Sequence, residues 1–338
     1  MQKLLEKIFE HETLTREEAK ELLTQITDGR AKEVQIVAAI SALKMRTISA
    51  VELSGFREAL LDQALIPDLY TKEAIDVCGT GGDGKNTFNI STLAAVVIAG
   101  AGYKVIKHGN YGVSSLVGSS SILEELGYQF SSGNDSLNEQ LRETNICFLH
   151  APLFHPALKR VGPIRKQLGI RTFFNYLGPL VNPVQPTHQL TGVYSLELIR
   201  VYKQILSKER KEFRVVHSLD GYDEVSLTSA FKMATKSQEL ILYPEDLNQN
   251  PLKAADLFCG DSIGEAKAIF MNVLEDKGTA AQNSVVATNA ALGIQCFKPE
   301  TSFEECFQEA ITAIETKAAL KNFKRTIALS KNSQTISI

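Results

Sequence analysis

The chain has 338 residues, of which 44% are hydrophobic and 22% are charged, a composition typical of a globular protein. Its 36 basic and 39 acidic residues give a formal net charge of −3, which excludes bulk electrostatic attraction to nucleic acid or to an anionic membrane. We therefore expect neither a nucleic-acid nor a membrane partner, and any anion must bind at a local site.

Residues 1–65 show only helical patterns. Two capping boxes begin at Thr15 and Ser49, and each is followed by apolar residues at helical spacing. Short amphipathic helices of this kind bury little core on their own. An Ile-Pro pair follows them, so we predict a small all-helical domain at 1–67 and a larger α/β domain at 68–338.

A glycine-rich segment follows a short strand predicted at residues 74–78. Four of its six residues are glycine, and such a backbone can adopt left-handed conformations and surround phosphate oxygens with N–H groups. Lys85 is followed by Asn86 instead of Ser or Thr, which excludes a Walker A loop. Because Asp83 would face a pyrophosphate, the segment predicts a divalent cation or a ribose hydroxyl pair beside the phosphates.

Two further strand–turn–helix units come next. A helix predicted at 93–102 has Ser91 or Thr92 near its N-terminus, where the helix dipole offers a second anion site. A strand predicted at 103–106 is followed by the polar segment 107–110. One such turn is more often a plain glycine turn with helix caps, but three at one sheet edge favour a ligand site.

Strand and helix patterns alternate over the rest of the chain, which predicts an α/β fold with a central, mostly parallel sheet. Strands are predicted at 146–149, 190–194, 214–217 and 239–243, and helices at 196–207, 262–274, 279–292 and 303–320.

Two of the connecting segments carry candidate chemistry. His155 follows a predicted strand, where open α/β sheets bind ligands, although a lone histidine there more often begins a helix. The acidic loop at residues 220–224 is by itself more often solvated. Its carboxylates could also join phosphate oxygens around Mg²⁺.

The chain has five widely spaced cysteines and no CxxC motif: Cys78, Cys147, Cys259, Cys296 and Cys306. This pattern favours reduced, buried thiols over a disulfide framework or a zinc site. The N-terminus shows no signal-peptide pattern, and the longest run of small apolar residues is far below the ~18 that span a bilayer. We predict a cytoplasmic protein.

Seven motifs occur together along the chain: GTGGDG, NISTLAA, KHGN, VSS, GSSSILEELG, FHPALKRVGPIRKQLGIRTFFNYLGPLVNP and DGYDEVS. Together they resemble anthranilate phosphoribosyltransferases over almost the whole chain. The resemblance implies a nucleoside phosphorylase/phosphoribosyltransferase-like architecture, with helices near 165–185 completing the N-terminal helical domain. One departure is Tyr111-Gly112, which follow KHGN where the family commonly has a basic residue, so position 111 adds no charge toward pyrophosphate.

The resemblance also implies an activity: transfer of 5-phosphoribose from phosphoribosyl pyrophosphate to the amine of anthranilate, giving N-(5-phosphoribosyl)anthranilate and pyrophosphate, in L-tryptophan biosynthesis. The amine is already a nucleophile, so no covalent catalyst or general base is expected, and Lys107 stabilises the leaving group. The implied contacts with phosphoribosyl pyrophosphate are Gly79, Gly82, Asp83, Thr87, Asn89, Ile90, Ser91, Thr92, Lys107, Ser115 and Ser119. Those with anthranilate are Gly79, His108, Asn110, His155, Arg165 and Gly178. The implied Mg²⁺ ligands are Ser91, Asp223 and Glu224.

A homodimer through the N-terminal helices is a further implication of the resemblance. Two alternatives stay open: a pyrimidine-nucleoside phosphorylase of the same architecture, and a non-enzymatic relative that binds nucleic acid. KHGN, FHP and the arginine of GPIRK favour anthranilate over a nucleoside, and the absence of excess basic charge disfavours nucleic acid.

Overall fold

The structure, a computed structural model, describes residues 1–112, 117–209 and 212–332. Its α-helices in those ranges are α1 (Gln2–Phe9), α2 (Arg16–Thr27), α3 (Glu33–Lys44), α4 (Ala50–Leu61), α5 (Ile90–Gly100), α6 (Ser119–Glu125), α7 (Asn134–Thr144), α8 (Ala151–Phe154), α9 (Gly162–Leu168), α10 (Leu196–Lys208), α11 (Ile263–Leu274), α12 (Ala280–Phe297), α13 (Phe303–Glu315) and α14 (Ala318–Asn332). The strands are β1 (Ile75–Val77), β2 (Val105–Gly109), β3 (Ile146–His150), β4 (His188–Gly192), β5 (Glu212–Ser218), β6 (Phe231–Ala234) and β7 (Glu239–Leu242). Short 3₁₀ helices cover Pro156–Arg160, Phe173–Tyr176, Gly178–Leu180, Pro244–Leu247 and Ala254–Leu257.

The strands form one sheet in the order β3-β2-β1-β4-β5-β6-β7. The pairs from β3 to β5 are parallel, and β6 and β7 are added antiparallel at one side. The predicted α/β fold with a mostly parallel sheet is therefore confirmed. Chain order reverses beside β1, and open α/β sheets bind ligands at the carboxyl ends of strands at such a switch point.

Several predicted boundaries are wrong by a few residues, and two of the errors have a clear physical reason. The strand predicted to end at residue 106 continues through Gly109, because Lys107 and His108 stay paired with β3. The single helix predicted at 303–320 is two helices, since Lys317 adopts a positive φ of 59° between α13 and α14. Strand β6 was not predicted.

Helix α5 lies in the centre of the main core. Its side chains from Thr92 to Ala99 are all fully buried, and it packs against α12 and α14. A Cβ at Gly293 of α12 would lie 2.5 Å from a methyl carbon of Ile98, so a side chain at this position would force the Ile98 side chain to shift. This packing fixes the N-terminus of α5 relative to the sheet.

The chain divides into two compact units, and the helical one is discontinuous in sequence: it contains residues 1–66 and 151–183. Within it, the rings of Phe56 and Phe173 stack at 4.5 Å, and Arg57 Nε donates to the carbonyl oxygen of Leu180 at 2.8 Å. The inserted segment thus begins before the helices near 165–185 that the resemblance implied. The domain assignment itself stays a prediction.

Two local predictions are confirmed, those of the capping boxes and of the buried thiols. Thr15 and Ser49 each cap a helix with a reciprocal hydrogen bond to a glutamate three residues on. All five cysteines are buried and free of disulfides. Among the helices that the structure describes, none has both the length and the apolar character needed to cross a membrane.

Candidate active site

Three carboxylates meet at the carboxyl edge of the sheet, and we call Asp83, Asp223 and Glu224 the acid cluster. Asp223 is buried and accepts a 2.6 Å hydrogen bond from the backbone N–H of Gly81, and Asp83 contacts its carboxyl group. Glu224 Oε1 accepts a 3.1 Å hydrogen bond from the N–H of Ser91 in the first turn of α5. Its Oε2 is buried and has no hydrogen-bond partner among the described residues.

The acid cluster is electrostatically unfavourable as it stands. Burial, together with the negative charge of Asp83, raises the pKa of Asp223 to about 7. Burial and both neighbouring carboxylates raise the pKa of Glu224 well above its usual range, against the opposing effects of the Ser91 N–H and the Lys107 charge. Like charges held together out of water favour either protonation or a bound cation.

The donor set fits a hard divalent cation. The buried carboxylate of Asp223 and the unpaired Oε2 of Glu224 are oxygen ligands of the kind that Mg²⁺ prefers. Over the described part of the chain, no group of three or more His, Cys, Asp or Glu side chains is arranged so that it could hold a metal ion by itself. A cation here would therefore take further ligands from water and substrate phosphates, which is how Mg²⁺ is bound at many phosphate sites.

Glycines at two strand ends make room for this arrangement. A Cβ at Gly79 would lie 2.7 Å from an Asp223 carboxylate oxygen, and a Cβ at Gly192 would lie 1.4 Å from the Asp223 carbonyl oxygen. Side chains at either position would push the acidic loop away. Gly192, the last residue of β4, was missed from the sequence, and its only signal was a glycine inside a predicted strand.

The glycine-rich segment adopts the predicted left-handed conformations. Gly81, Gly82 and Gly84 have φ values of 62°, 82° and 74°. A Cβ at Gly81 or Gly84 would meet no atom within 4 Å, so the space above the loop is open. The ammonium of Lys85 lies 4.8 Å from the centre of the Tyr222 ring, which joins this segment to the acidic loop.

The N-terminus of α5 presents the next group of predicted residues. Asn89 is its N-cap, and its side-chain amide donates to the carbonyl of Val117 at 3.0 Å. Ile90 and Thr92 are fully buried, and the Thr92 hydroxyl has no partner among the described residues. Thr87 instead forms an isolated antiparallel bridge with Phe258. Of these, Ser91 is the residue whose backbone reaches the acid cluster.

The end of β2 brings Lys107, His108 and Asn110 to the same edge. Lys107 is buried, and its ammonium donates to the carbonyl of Val77. The backbone N–H of His108 donates to Asp76 at 3.1 Å. The carbonyl of exposed Asn110 accepts from the Ser119 hydroxyl at 3.0 Å. Ser115 lies outside the described residues.

The remaining predicted residues lie in the helical unit. His155 is buried, with Nε2 2.7 Å from the Val181 carbonyl, and burial lowers the pKa of its imidazole. The Arg165 guanidinium is 5.1 Å from the Phe174 ring, and burial lowers its pKa. Gly178 begins a 3₁₀ helix, and a Cβ there would meet nothing within 4 Å.

Comparisons with known proteins agree with the geometry. The chain matches the glycosyl transferase family helical bundle domain over residues 2–64 and the a/b domain of the same family over residues 71–320. Anthranilate phosphoribosyltransferase of Cytophaga hutchinsonii is 49% identical over 327 residues, which cover 97% of this chain and 100% of the relative.

Solved structures show the same fold. Anthranilate phosphoribosyltransferase from Thermus thermophilus has a TM-score of 0.90 at 30% identity, covering 97% of this chain and 99% of that one. The Saccharomyces cerevisiae enzyme in complex with PRPP and Mg has a TM-score of 0.88 at 24% identity, covering 98% and 97%. At that lower identity the likeness shows the fold alone.

Proposed function

Because the chain belongs to the anthranilate phosphoribosyltransferase family, we propose that it transfers 5-phosphoribose from phosphoribosyl pyrophosphate to the amine of anthranilate. The products are N-(5-phosphoribosyl)anthranilate and pyrophosphate, in a step of L-tryptophan biosynthesis. The observation that carries the proposal is the acid cluster beside an open, left-handed glycine loop. Neither of the two alternatives, a nucleoside phosphorylase or a nucleic-acid-binding relative, gains support.

Ser91, Asp223 and Glu224 would hold Mg²⁺, which when bound neutralises charge on the pyrophosphate and its developing leaving-group oxygen. The glycine loop, with Gly79, Gly82 and Asp83, would hold the ribose and phosphates, together with Thr87, Asn89, Ile90, Ser91, Thr92, Ser115 and Ser119. Fixed donors of this kind cost no reorganisation as charge develops.

Lys107 would stabilise the leaving group. Its ammonium is buried and its charge already acts on Glu224, so it contributes positive potential at this sheet edge without solvent screening. Displacement at the anomeric carbon leaves negative charge on pyrophosphate, and this potential lowers the energy of that state. No residue is required to activate the anthranilate amine.

Arg165 would bind the anthranilate carboxylate, because a planar guanidinium fork suits a planar carboxylate and Phe174 holds the guanidinium in place. His155 and Gly178 of the same unit, and separately Gly79, His108 and Asn110 of the α/β unit, are further proposed anthranilate contacts. Correct positioning of an amine that needs no activation is worth on the order of 7–11 kcal/mol.

A homodimer through the N-terminal helices is also proposed. Phe9 of α1, Val34 of α3 and Met45 after α3 are exposed by 55%, 74% and 80%, and they offer apolar surface that a second copy would cover. Sedimentation at micromolar concentration tests this, and a monomer would contradict it.

The buried, free cysteines support the proposed cytoplasmic location.

The activity is tested by incubating the purified protein with phosphoribosyl pyrophosphate, Mg²⁺ and anthranilate, and following the fall in anthranilate fluorescence. Omission of each component in turn is the control. Turnover of a pyrimidine nucleoside with phosphate, or binding to an oligonucleotide without transferase activity, would replace the proposal by one of the alternatives.

A further inference from the structure

Tyr111 closes a ring of contacts around the connection between β2 and α6. Its hydroxyl donates to a Glu124 carboxylate oxygen at 2.9 Å, and its ring packs in a T-shaped arrangement with the His150 ring, with 4.8 Å between the ring centres. His150 Nδ1 lies 2.8 Å from the Ser120 hydroxyl. Since Ser120 and Glu124 both belong to α6, these four residues form a closed arrangement, which we call the Tyr111 clamp.

The clamp holds a segment that carries two proposed substrate contacts. The carbonyl of Asn110 accepts from both the hydroxyl of Ser119 and the N–H of Ser120, so it fixes the first turn of α6. Asn110 Oδ1 in turn accepts from the N–H of Tyr111 at 2.8 Å. A displacement of Tyr111 would therefore move Asn110 and Ser119 together.

The other described contacts of this segment are made by backbone atoms or are fixed by β3, so the position of the segment depends on the Tyr111 side chain. A Cβ at Gly118 would lie 1.8 Å from the backbone nitrogen of Gly112, so the backbones of these two glycines pack directly against each other. His150 is held by its place at the end of β3 and by stacking on Phe130 at 4.7 Å. Tyr111 is 46% exposed, and its position depends on the hydroxyl and ring contacts of the clamp.

We propose that Tyr111 is a positioning residue: its clamp with Glu124 and His150 holds the Asn110 carbonyl, and through it Ser119, in the arrangement in which Ser119 binds phosphoribosyl pyrophosphate. This inference rests on the proposed function, because the substrate is the one assigned there. Loss of the Tyr111 hydroxyl weakens binding of phosphoribosyl pyrophosphate while the reacting groups themselves are unchanged.

Steady-state kinetics of Tyr111→Phe, Glu124→Ala and Glu124→Gln test the proposal, with Tyr243→Phe as an exposed control tyrosine elsewhere. Tyr111→Phe and Glu124→Ala should raise the KM for phosphoribosyl pyrophosphate about two- to tenfold, the range expected for one net hydrogen bond, with kcat little changed. Glu124→Gln keeps an acceptor oxygen and should restore most of the affinity. The double variant Tyr111→Phe/Glu124→Ala should have a KM for phosphoribosyl pyrophosphate no higher than that of either single variant, because both changes remove the same hydrogen bond. General destabilisation would instead lower the active fraction and hence kcat.

Hydrogen exchange provides a readout that does not need activity. The backbone amides of residues 119–125 should exchange faster in Tyr111→Phe than in the wild type and in Tyr243→Phe. Equal exchange, or an unchanged KM for phosphoribosyl pyrophosphate, overturns the clamp. A wild-type protein without transferase activity would overturn the proposed function instead, and the exchange measurement would still decide whether the clamp exists.

Discussion

The backbone N–H of Gly81 donates a 2.6 Å hydrogen bond to the carboxylate of Asp223, across 142 positions of sequence. A donor of the glycine loop is thereby aimed at an acid that we propose as a metal ligand. The glycine loop and the acid cluster are therefore coupled through this hydrogen bond. A change in the charge of Asp223 should alter the arrangement of both.

The metal-free protein should lose stability as the pH rises from about 4 to about 7. Asp223 has a raised pKa of about 7, so the folded state binds more protons than the unfolded state between the ordinary value of 3.8 and that value. The contribution of Asp223 to stability is fully present below its pKa in the unfolded state, and it is lost as the pH rises through its pKa in the folded state. Thermal unfolding with a chelator present measures this, and Asp223→Asn should flatten the dependence. An identical slope in wild type and variant would argue against a buried, protonated Asp223.

Mg²⁺ should stabilise the wild type against heat. A ligand at a hundredfold excess over its Kd adds about 2.7 kcal/mol to the unfolding free energy. Asp223→Asn and Glu224→Gln keep side-chain shape but remove charge, so both should reduce this gain, and excess Mg²⁺ should partly restore activity in at least one. Metal titrations that superimpose for wild type and both variants would show that the ligands lie elsewhere.

Arg165→Ala should raise the KM for anthranilate about ten- to a hundredfold, because it removes a charge-assisted contact of roughly 1.5–3 kcal/mol. The KM for phosphoribosyl pyrophosphate should stay as it was. Arg165→Lys should recover part of the loss, since an ammonium keeps the charge but not the fork. Each substrate is varied in turn, and an effect on phosphoribosyl pyrophosphate alone would mean that Arg165 serves the other substrate.

Glu52 of the helical unit should be a major contributor to stability. Its carboxylate is fully buried and accepts hydrogen bonds from Arg46, from the N–H and hydroxyl of Ser49 and from the N–H of Leu14. Burial alone would raise the pKa of Glu52, but these hydrogen bonds together lower it below its ordinary value of 4.5, so its contribution to stability is lost as the pH falls through that lowered pKa. Glu52→Gln should cost about 3 kcal/mol in urea unfolding.

Asp62→Asn is the matched control for Glu52→Gln. Asp62 pairs with Lys20 at 2.5 Å, but its side chain is 58% exposed. Exposed pairs contribute about 0–1 kcal/mol, so this variant should unfold close to the wild type. Equal losses in the two variants would show that burial is not what makes Glu52 important.

Local signals in the sequence predicted much of the fold and the composition of the site. The capping boxes at Thr15 and Ser49 depend on residues four positions apart or fewer, and the glycine loop needs only its own backbone freedom. The break at Lys317 was missed because no glycine or proline marks it. The full length of β2 was missed because Lys107 and His108 look like turn residues until β3 pairs with them.

Contacts between residues that are distant in the sequence could not be predicted from such local signals. No residue close to Gly192 in the sequence indicates that a Cβ at this glycine would lie 1.4 Å from the carbonyl oxygen of Asp223 in the acidic loop. The clamp contacts of Tyr111 depend on where α6 and β3 lie in space, so the sequence showed only that position 111 carries no charge.

The discontinuity of the helical unit has a consequence for how the chain reaches its native state. During synthesis the helices α1 to α4 emerge before the segment 151–183, so Phe56 and Arg57 lack their partners until that segment has emerged. Strand β1 must likewise wait for β4, with Ile75 paired to His188. Pairings so distant in sequence carry a high loop-closure cost and slow folding. The nascent chain therefore exposes those parts of α2, α3 and α4 that later pack against the segment 151–183, and this is the stage at which a chaperone would have most to protect.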